Sequence, residues 1–205
     1  MSTPVKLAIV YYSSTGTVDA MARRAAEVAE KHGAEVRLRH VAEHAPGEVI
    51  DRDEEWKAHV ARVEDEPTAS PDDVVWADAV RFGSPTRFGN VASQLKQLID
   101  SLGPQWGEGA LADKVYAGFT AADTAHGGHE STLLALYNTV HHFGGILVTP
   151  GYTDPVKFED GNPYGASLVT GRDDEGFDEP GRNAVDHLVE RVVDITGRLL
   201  RGSTD

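Results

Sequence analysis

The chain has 205 residues, of which 40% are hydrophobic and 25% charged, and it contains no cysteine. This length suits one compact domain with a sizeable core, and the lack of thiols excludes disulfides, thiolate chemistry and cysteine-ligated metal sites. The formal net charge of −14 argues against a nucleic-acid or anionic-membrane partner, because either would be repelled. Any phosphorylated ligand must therefore be bound by local hydrogen-bond donors that overcome the negative electrostatic field of the protein.

The chain begins with a pattern of strand, loop, helix and strand. Residues 5–12 form an apolar run of strand length, and residues 18–32 repeat apolar positions at helical spacing. Gly33 stands where a helix ends, and residues 36–41 alternate in polarity as an exposed strand near a sheet edge does. These features predict a βαβ unit.

The next stretch, residues 42–70, is rich in acid and proline and lacks a clear period, so we expect a surface excursion with one short helix around Trp56. A run of serine, proline and two aspartates at 70–73 is typical of a helix start. A third strand is predicted at 79–83 and a helix at 91–102, which Gly103 and Pro104 would end.

The second half continues the alternation, with a long segment rich in Gly, Pro and Asp before the last helix. The predicted elements are a strand at 114–120, a helix at 130–143, a strand at 146–148, a loop at 150–182 and a helix at 183–200. Such alternation predicts one α/β domain over residues 1–205, with a doubly wound parallel sheet and helices on both faces.

The amino-terminal residues and the hydropathy of the chain indicate where in the cell the protein is located. Residues 5–10 follow the N-terminus with no basic region and no cleavage site after them. No apolar run approaches the roughly 18 to 20 residues that span a bilayer. We therefore expect a cytoplasmic protein without membrane insertion.

In a sheet of this kind, ligands bind beyond the carboxyl ends of the strands, where the strand order reverses. The loop after the first strand combines hydroxyl side chains with the backbone N–H groups of a helix start, which binds phosphate without a lysine. An ordinary helix-capping turn is the alternative interpretation. Neither a P-loop nor a Gly-x-Gly-x-x-Gly fingerprint follows this strand. The sequence therefore does not support phosphoryl transfer from a P-loop or Rossmann-type dinucleotide binding.

Two further loops fall on the same predicted edge. The stretch 85–90 joins a rigid proline, a cation, an aromatic ring and a capping Asn after Gly, a mixture that suits a flat ring system. The loop 120–128 ends in glycines, which let backbone approach a ligand closely. The histidines at 126 and 129 lack a third firm ligand on this loop, so we expect no metal site.

These motifs, in this order and together with Trp106, resemble the WrbA-type (type IV) NAD(P)H:quinone oxidoreductases. The similar segments cover nearly the whole chain: Tyr12-Ser13, Gly16-Thr17-Val18, Gly83 to Asn90, the 120–128 loop, His142-Phe143-Gly144, Pro150-Gly151-Tyr152 and Pro163-Tyr164-Gly165-Ala166. The resemblance implies a flavodoxin-like sheet of five parallel strands in the order 2-1-3-4-5. It also implies FMN as cofactor, NAD(P)H as co-substrate, two-electron ping-pong reduction of quinones and a homotetramer.

The family's functional residues carry over by position. The implied FMN contacts are Ser13, Ser14, Thr15, Gly16, Thr17 and Val18 for the phosphate, and Pro85, Thr86, Arg87, Phe88, Gly89, Asn90, Ala121, Ala122, Asp123, Thr124, Gly127 and His142 for the rest of the cofactor. The implied catalytic residues are Trp106, which lines the substrate pocket against a neighbouring subunit's flavin, and His142 and Tyr152, the candidate proton donors.

Two positions depart from the family pattern and leave other functions open. Thr15 stands where members often carry a tyrosine that contacts the nicotinamide nucleotide, and Ala121-Ala122 stand where hydroxyls occur. An electron carrier of flavodoxin type, or a redox-responsive flavin-binding protein without turnover, are therefore the alternative hypotheses.

Overall fold

The structure, a computed structural model, describes residues 3–170 and 177–202, and a parallel sheet forms its centre. The strands are β1 Lys6–Tyr11, β2 Glu35–His40, β3 Ala79–Pro85, β4 Val115–Ala122, β5 Ile146–Leu147 and β6 Ala166–Val169. The helices are α1 Thr17–Lys31, α2 Gly47–Ile50, α3 Glu54–Val63, α4 Pro71–Trp76, α5 Ser93–Ser101, α6 Gly103–Gly107, α7 His129–Phe143, α8 Lys157–Asp160 and α9 Glu179–Gly202.

The strands pair in parallel in the order β2-β1-β3-β4-β5, which confirms the predicted topology. Within the described residues the sheet also has a sixth strand, because β6 pairs with the same edge of β4 further along. β5 covers Val115 and Tyr116, and β6 covers β4 from Phe119 to Ala122. The last position in the sheet is thus filled by two short strands in succession.

The segment predicted as a loop at 150–182 contains regular secondary structure. It contains α8 and β6, and α9 begins at Glu179 rather than at the predicted residue 183. Residues 171–176 of that loop lie outside the described part of the chain. The short, mixed patterns of α8 and β6 gave no period from which either element was predictable.

Each face of the sheet carries its own hydrophobic core. One core joins the sheet to α1 and α9 through residues such as Ile9, Met21 and Leu188. The other joins it to α4, α5 and α7 through residues such as Phe82 and Leu95. The central strands are apolar on both faces, as parallel strands covered by helices must be, and their carboxyl ends therefore meet at one edge.

The connecting segments differ in detail from the sequence predictions. The excursion at 42–70 holds two helices, and the Asp53 side chain caps α3 by accepting the N–H groups of Glu55 and Trp56. The predicted helix start at 70–73 is confirmed as a capping box at the beginning of α4. The helix predicted at 91–102 ends just before Gly103 and Pro104 as expected, since α5 ends at Ser101. These two residues then begin the short helix α6, because proline is tolerated in a first turn. No helix in the described ranges is long and apolar enough to cross a bilayer.

Gly83 lies where β3 and β4 allow no side chain. A Cβ added there would lie 2.2 Å from Cζ of Phe119, whose side chain is buried. We expect Gly83→Ala to lower the free energy of unfolding by about 1–3 kcal/mol, since overpacking a dense core displaces side chains from their preferred rotamers. Urea denaturation measures this change.

Gly47 supplies the matched control, because a Cβ added at the start of α2 meets no atom within 4 Å. Gly47→Ala should change the unfolding free energy by no more than about 0.5 kcal/mol. Equal stability of the two variants would show that Phe119 has room to move aside.

Candidate functional site

A cavity of about 520 Å³ opens where β1, β3 and β4 end. Its volume falls in the range of roughly 300–1,000 Å³ that is typical of small-molecule sites. All three loops predicted to hold a ligand contribute to its wall: Ser13, Ser14, Thr15, Thr17 and Val18, then Pro85, Thr86 and Arg87, then Ala121, Ala122, Asp123, Thr124 and Gly127. Asp53, Trp56 and Thr170 complete it.

The first loop ends at the amino terminus of α1. Gly16 is the N-cap residue, with φ 102° and ψ −11°, and no side chain caps this helix. Its own N–H donates to Ser13 Oγ at 3.0 Å. The first-turn N–H groups beyond Gly16 and the hydroxyls around them therefore form an anion site at the positive end of a helix.

An acidic residue, Asp19, lies in the first turn of this helix but does not line the cavity. Its carboxylate is buried and accepts hydrogen bonds from the Tyr11 hydroxyl and, at 2.9 Å, from Arg23 Nε. Arg62 Nη1 lies at 2.9 Å from the same carboxylate. Burial opposes ionisation, but the Arg23 and Tyr11 hydrogen bonds and the arginine charges outweigh it and lower the pKa of Asp19. Its charge is thus neutralised behind the anion site.

The second loop is held by its first residues. Thr86 N–H donates to Ala121 O at 2.9 Å, and Thr86 Oγ1 donates to Gly128 O at 3.1 Å. The Arg87 guanidinium donates to Ser14 Oγ at 3.1 Å and to Thr86 O at 3.0 Å. This arginine therefore connects the second loop to the first at the cavity wall and places a positive charge there.

The tip of the second loop points away from the cavity. Phe88 and Gly89 have φ of 52° and 74°, and Arg87 and Asn90 form a bridge around them, which is the geometry of a two-residue type I′ turn. The Phe88 side chain is fully exposed, and Phe88, Gly89 and Asn90 do not line the cavity. The structure thus brings residues 85–87 to the cavity of their own chain but not residues 88–90.

The third loop closes the side of the cavity next to β6. Asp123 accepts a hydrogen bond from Thr170 Oγ1 at 2.9 Å, which fastens the loop to the residue that follows β6. Gly128, with φ 96°, is the N-cap of α7, and no side chain caps that helix. The His129 side chain is buried with its Nε2 at 3.1 Å from Leu168 O, so it anchors α7 to β6.

Sequence analysis missed three residues of the cavity wall, of which Thr170 follows β6 and Trp56 and Asp53 come from the excursion at 42–70. Trp56 Nε1 donates to Glu43 Oε2 at 2.8 Å, and the Tyr12 hydroxyl and Gln94 Nε2 donate to the same carboxylate at 2.8 Å. Burial raises the pKa of Glu43, but these donors and backbone N–H groups outweigh it and lower the pKa. An ionised Glu43 therefore holds Trp56 at the cavity wall. The segment's lack of period hid this contact.

The three residues implied as catalytic do not line the cavity of their own chain. Trp106 and His142 do lie together, since Trp106 Nε1 donates to His142 O at 2.7 Å. They lie at the carboxyl end of α7, about 20 Å along the helix from its start at the cavity, given a rise of about 1.5 Å per residue. Tyr152 stacks on Phe158 with ring centroids 4.9 Å apart, and its hydroxyl donates to Gly161 O at 3.1 Å.

The chemistry of the wall fits FMN. The uncapped start of α1 and the hydroxyls at 13–17 suit a phosphate with a polyol chain. The third loop lines the cavity, and within it Gly127 packs so closely on Ala122 that an added Cβ would lie 2.6 Å from the Cβ of Ala122. Trp56 and Arg87 supply an aromatic face and a cation. A flat heterocycle requires this combination of backbone, ring and charge.

Comparison with known proteins points the same way. The family model described as NADPH-dependent FMN reductase matches residues 5–153. A protein of Deinococcus radiodurans named NAD(P)H dehydrogenase (quinone) is 49% identical over 201 residues, covering 98% of this chain and 100% of the relative. A protein of Geotalea uraniireducens with the same name is 36% identical, covering 96% of this chain and all of the relative.

Solved structures share the fold. A WrbA-like flavodoxin from Agrobacterium tumefaciens superposes with a TM-score of 0.68 at 22% identity, covering 95% of this chain and 98% of the other. An archaeal flavodoxin gives a TM-score of 0.60 at 14% identity, covering 93% of this chain and 98% of the other. These matches confirm the flavodoxin-like fold, and the family model and the relatives confirm the resemblance and the FMN assignment drawn from the motifs. The chain belongs to the NADPH-dependent FMN reductase family.

Proposed function

We propose that this chain is an FMN-dependent NAD(P)H:quinone oxidoreductase, built as a single FMN-binding domain over residues 1–205. The observation that carries this proposal is the cavity at the carboxyl edge of the sheet, where the uncapped start of α1 offers a phosphate site and Trp56 and Arg87 flank a space for a ring. The full-length relatives named NAD(P)H dehydrogenase (quinone) support the same activity.

The residues of the cavity have separable tasks. FMN, when bound, supplies two-electron chemistry between a nicotinamide and a quinone. The loop 13–18 binds the phosphate through backbone N–H groups and hydroxyls, so the protein holds an anion despite a net charge of −14. Arg87 places a fixed positive charge between the first two loops, and the backbone at 121–127 positions the ring.

Residues of a second copy complete the site in this proposal, and the assembly is a homotetramer in the cytoplasm. His142, at the carboxyl end of α7, and Trp106, in α6 beside it, lie too far from the cavity of their own chain to reach it. Large apolar side chains are exposed on the single chain, with Phe88 at 102%, Phe158 at 72% and Trp106 at 56% exposure. Exposed aromatic residues of this kind mark interaction surfaces. Trp106, His142 and Tyr152 then face the cavity of a neighbouring chain.

The test is oxidation of NADH or NADPH by the FMN-loaded protein with benzoquinone as acceptor, followed by the absorbance of the reduced nicotinamide. We expect turnover that requires FMN, and sedimentation equilibrium should give the mass of four chains. FMN binding without turnover would contradict the enzyme proposal and favour the electron carrier.

Trp56 provides a specific check on the cavity. Trp56→Ala should raise the dissociation constant for FMN about fivefold, since losing roughly 40 Å² of buried aromatic surface costs about 1 kcal/mol. Titration of the apoprotein, followed by flavin fluorescence, measures it. Trp76→Ala is the control, because Trp76 stacks on Arg37 away from the cavity. An equal effect of both substitutions would mean that Trp56 acts only through stability.

A further inference from the structure

A second cavity of about 460 Å³ lies behind the phosphate loop, between α3 and the ends of β1 and β2. We call it the α3 cavity. Ser13 lines both this cavity and the FMN cavity, so the phosphate loop forms the wall between them. Trp56 faces the FMN cavity, whereas Lys57 and Val60 on the same helix face the α3 cavity.

Apolar side chains form most of the wall of the α3 cavity. They are Val41, Ala42, Ile50, Val60, Ala61 and Val63. Three of the four acidic or basic side chains at the wall are compensated within the protein, and the fourth, Glu64, is exposed to solvent. Lys57 pairs with Asp51 at 3.3 Å, and Glu43 accepts the hydrogen bonds of Tyr12, Trp56 and Gln94. An uncharged, mostly apolar occupant therefore suits this space.

One side chain at this wall, His59, has a ring nitrogen without a hydrogen-bond partner among the described residues. His59 is 5% exposed and lines the cavity. Its Nδ1 lies 2.8 Å from Arg62 Nη2, and a guanidinium only donates, so Nδ1 accepts and the ring proton of the neutral form lies on Nε2. Burial lowers the pKa of His59, which keeps the ring neutral. In the described part of the chain, that Nε2–H has no hydrogen-bond acceptor.

We propose that the α3 cavity is a second binding site, which takes an uncharged apolar ring compound carrying a carbonyl oxygen. The ring fills the space between Val41, Ile50 and Val60, and the carbonyl accepts the hydrogen bond of His59 Nε2–H. Such a ligand removes apolar surface from water and accepts a hydrogen bond from a donor that has no protein partner.

The same contacts connect the occupant to the phosphate loop. Arg62, which His59 accepts from, also lies 2.9 Å from Asp19 in the first turn of α1. A Cβ on Gly16 would lie 3.3 Å from Arg62 Nη2 and 3.7 Å from His59 Nδ1. The occupant therefore adjoins, but does not enter, the FMN cavity, and it binds without being reduced there.

The test uses α-tetralone, a two-ring aromatic ketone that lacks the two carbonyls of a quinone. Calorimetric titration into the protein saturated with FMN should show one saturable site per chain. Long-range ¹H–¹⁵N spectra of the histidine rings should show a shift of the His59 Nε2 resonance as the site fills. No saturable binding, or binding that vanishes when FMN is added to the apoprotein, would overturn the proposal.

Two matched substitutions locate the site. Val60→Trp fills the α3 cavity and should weaken tetralone binding by at least about tenfold, whereas Val49→Trp, on an exposed position of α2 outside the cavity, should leave it unchanged. His59→Phe keeps the ring but removes the donor and should weaken binding by about tenfold. FMN affinity checks the fold of each variant. Unchanged tetralone binding in either cavity variant sinks the proposal, and because none of these measurements requires quinone turnover, it stands or falls separately from the proposed activity.

Discussion

Thr17→Asp is expected to weaken FMN binding by about a hundredfold or more, whereas Thr17→Asn weakens it by no more than about tenfold. Thr17 is the first residue of α1 and lines the cavity. An acidic side chain in a first turn favours the helix itself, so the fold should survive. A carboxylate about 4 Å from a phosphate costs about 4 kcal/mol per unit charge at the effective dielectric constant of a protein surface, and solvent screening reduces this to the expected loss.

The asparagine variant separates charge from shape, because its side chain has the size of aspartate and no charge. Fluorescence titration of each apoprotein with FMN gives the two dissociation constants, and they should converge as salt is raised. Equal affinities at low salt would show that the phosphate does not lie at the start of α1. Unchanged binding of riboflavin, which lacks the phosphate, would confirm that the cavity itself is intact.

The central sheet was predictable from the sequence because its strands are apolar on both faces and short turns separate them from periodic helices. Residues 5–12 and 79–83 anticipated β1 and β3 to within two residues at each end. The position of the cavity was predictable because parallel strands bring their carboxyl ends together at one edge. Of the predicted site residues, 13 line the cavity.

The parts that escaped prediction share a physical cause, which is that tertiary contacts decide them. Trp56 reaches the cavity because Glu43 gathers three side-chain donors from β1's end, α3 and α5, and no local pattern encodes that convergence. Phe88 belongs to a specific motif, yet the positive φ values of its turn carry the ring out to solvent. β6 is four residues long and pairs only because β5 leaves the end of β4 uncovered.

Arg81 is the clearest conflict between a residue and its position in the fold. It lies in the middle of β3, between Ile9 and Ala117 of the neighbouring strands, on the face covered by α1 and α9. Its side chain is fully buried, and its guanidinium lies 5.1 Å from the centroid of the Phe119 ring. Among residues 3–170 and 177–202, none of its three nitrogen atoms has a hydrogen-bond partner. A buried charge without a hydrogen-bond partner costs several kcal/mol of desolvation, which the contact with the Phe119 ring offsets only in part.

Arg81→Met should therefore raise the free energy of unfolding by about 2 kcal/mol, because methionine keeps an unbranched stem in the core and removes the charge. Burial lowers the pKa of Arg81 to about 10. The folded pKa is thus below the unfolded one, so the unfolded state binds the proton more tightly. The penalty is fully present below about pH 10 and declines only as the pH rises beyond it, so the gain in the variant holds across the neutral range.

Thermal unfolding at a fixed protein concentration measures the gain, which corresponds to roughly 4–8 °C for a chain of this length. Arg39→Met, on β2 of the same sheet, is the matched control with the opposite sign. Arg39 pairs with the buried Asp73 at 3.1 Å, so its loss should cost up to about 1 kcal/mol.

Destabilisation by both substitutions would mean that the Arg81 guanidinium has hydrogen-bond acceptors in the folded protein. A bound water or anion beneath β3 would then have to supply them. Opposite signs would instead show that an arginine stabilises β2 and destabilises β3 of the same sheet, according to whether a carboxylate reaches its guanidinium.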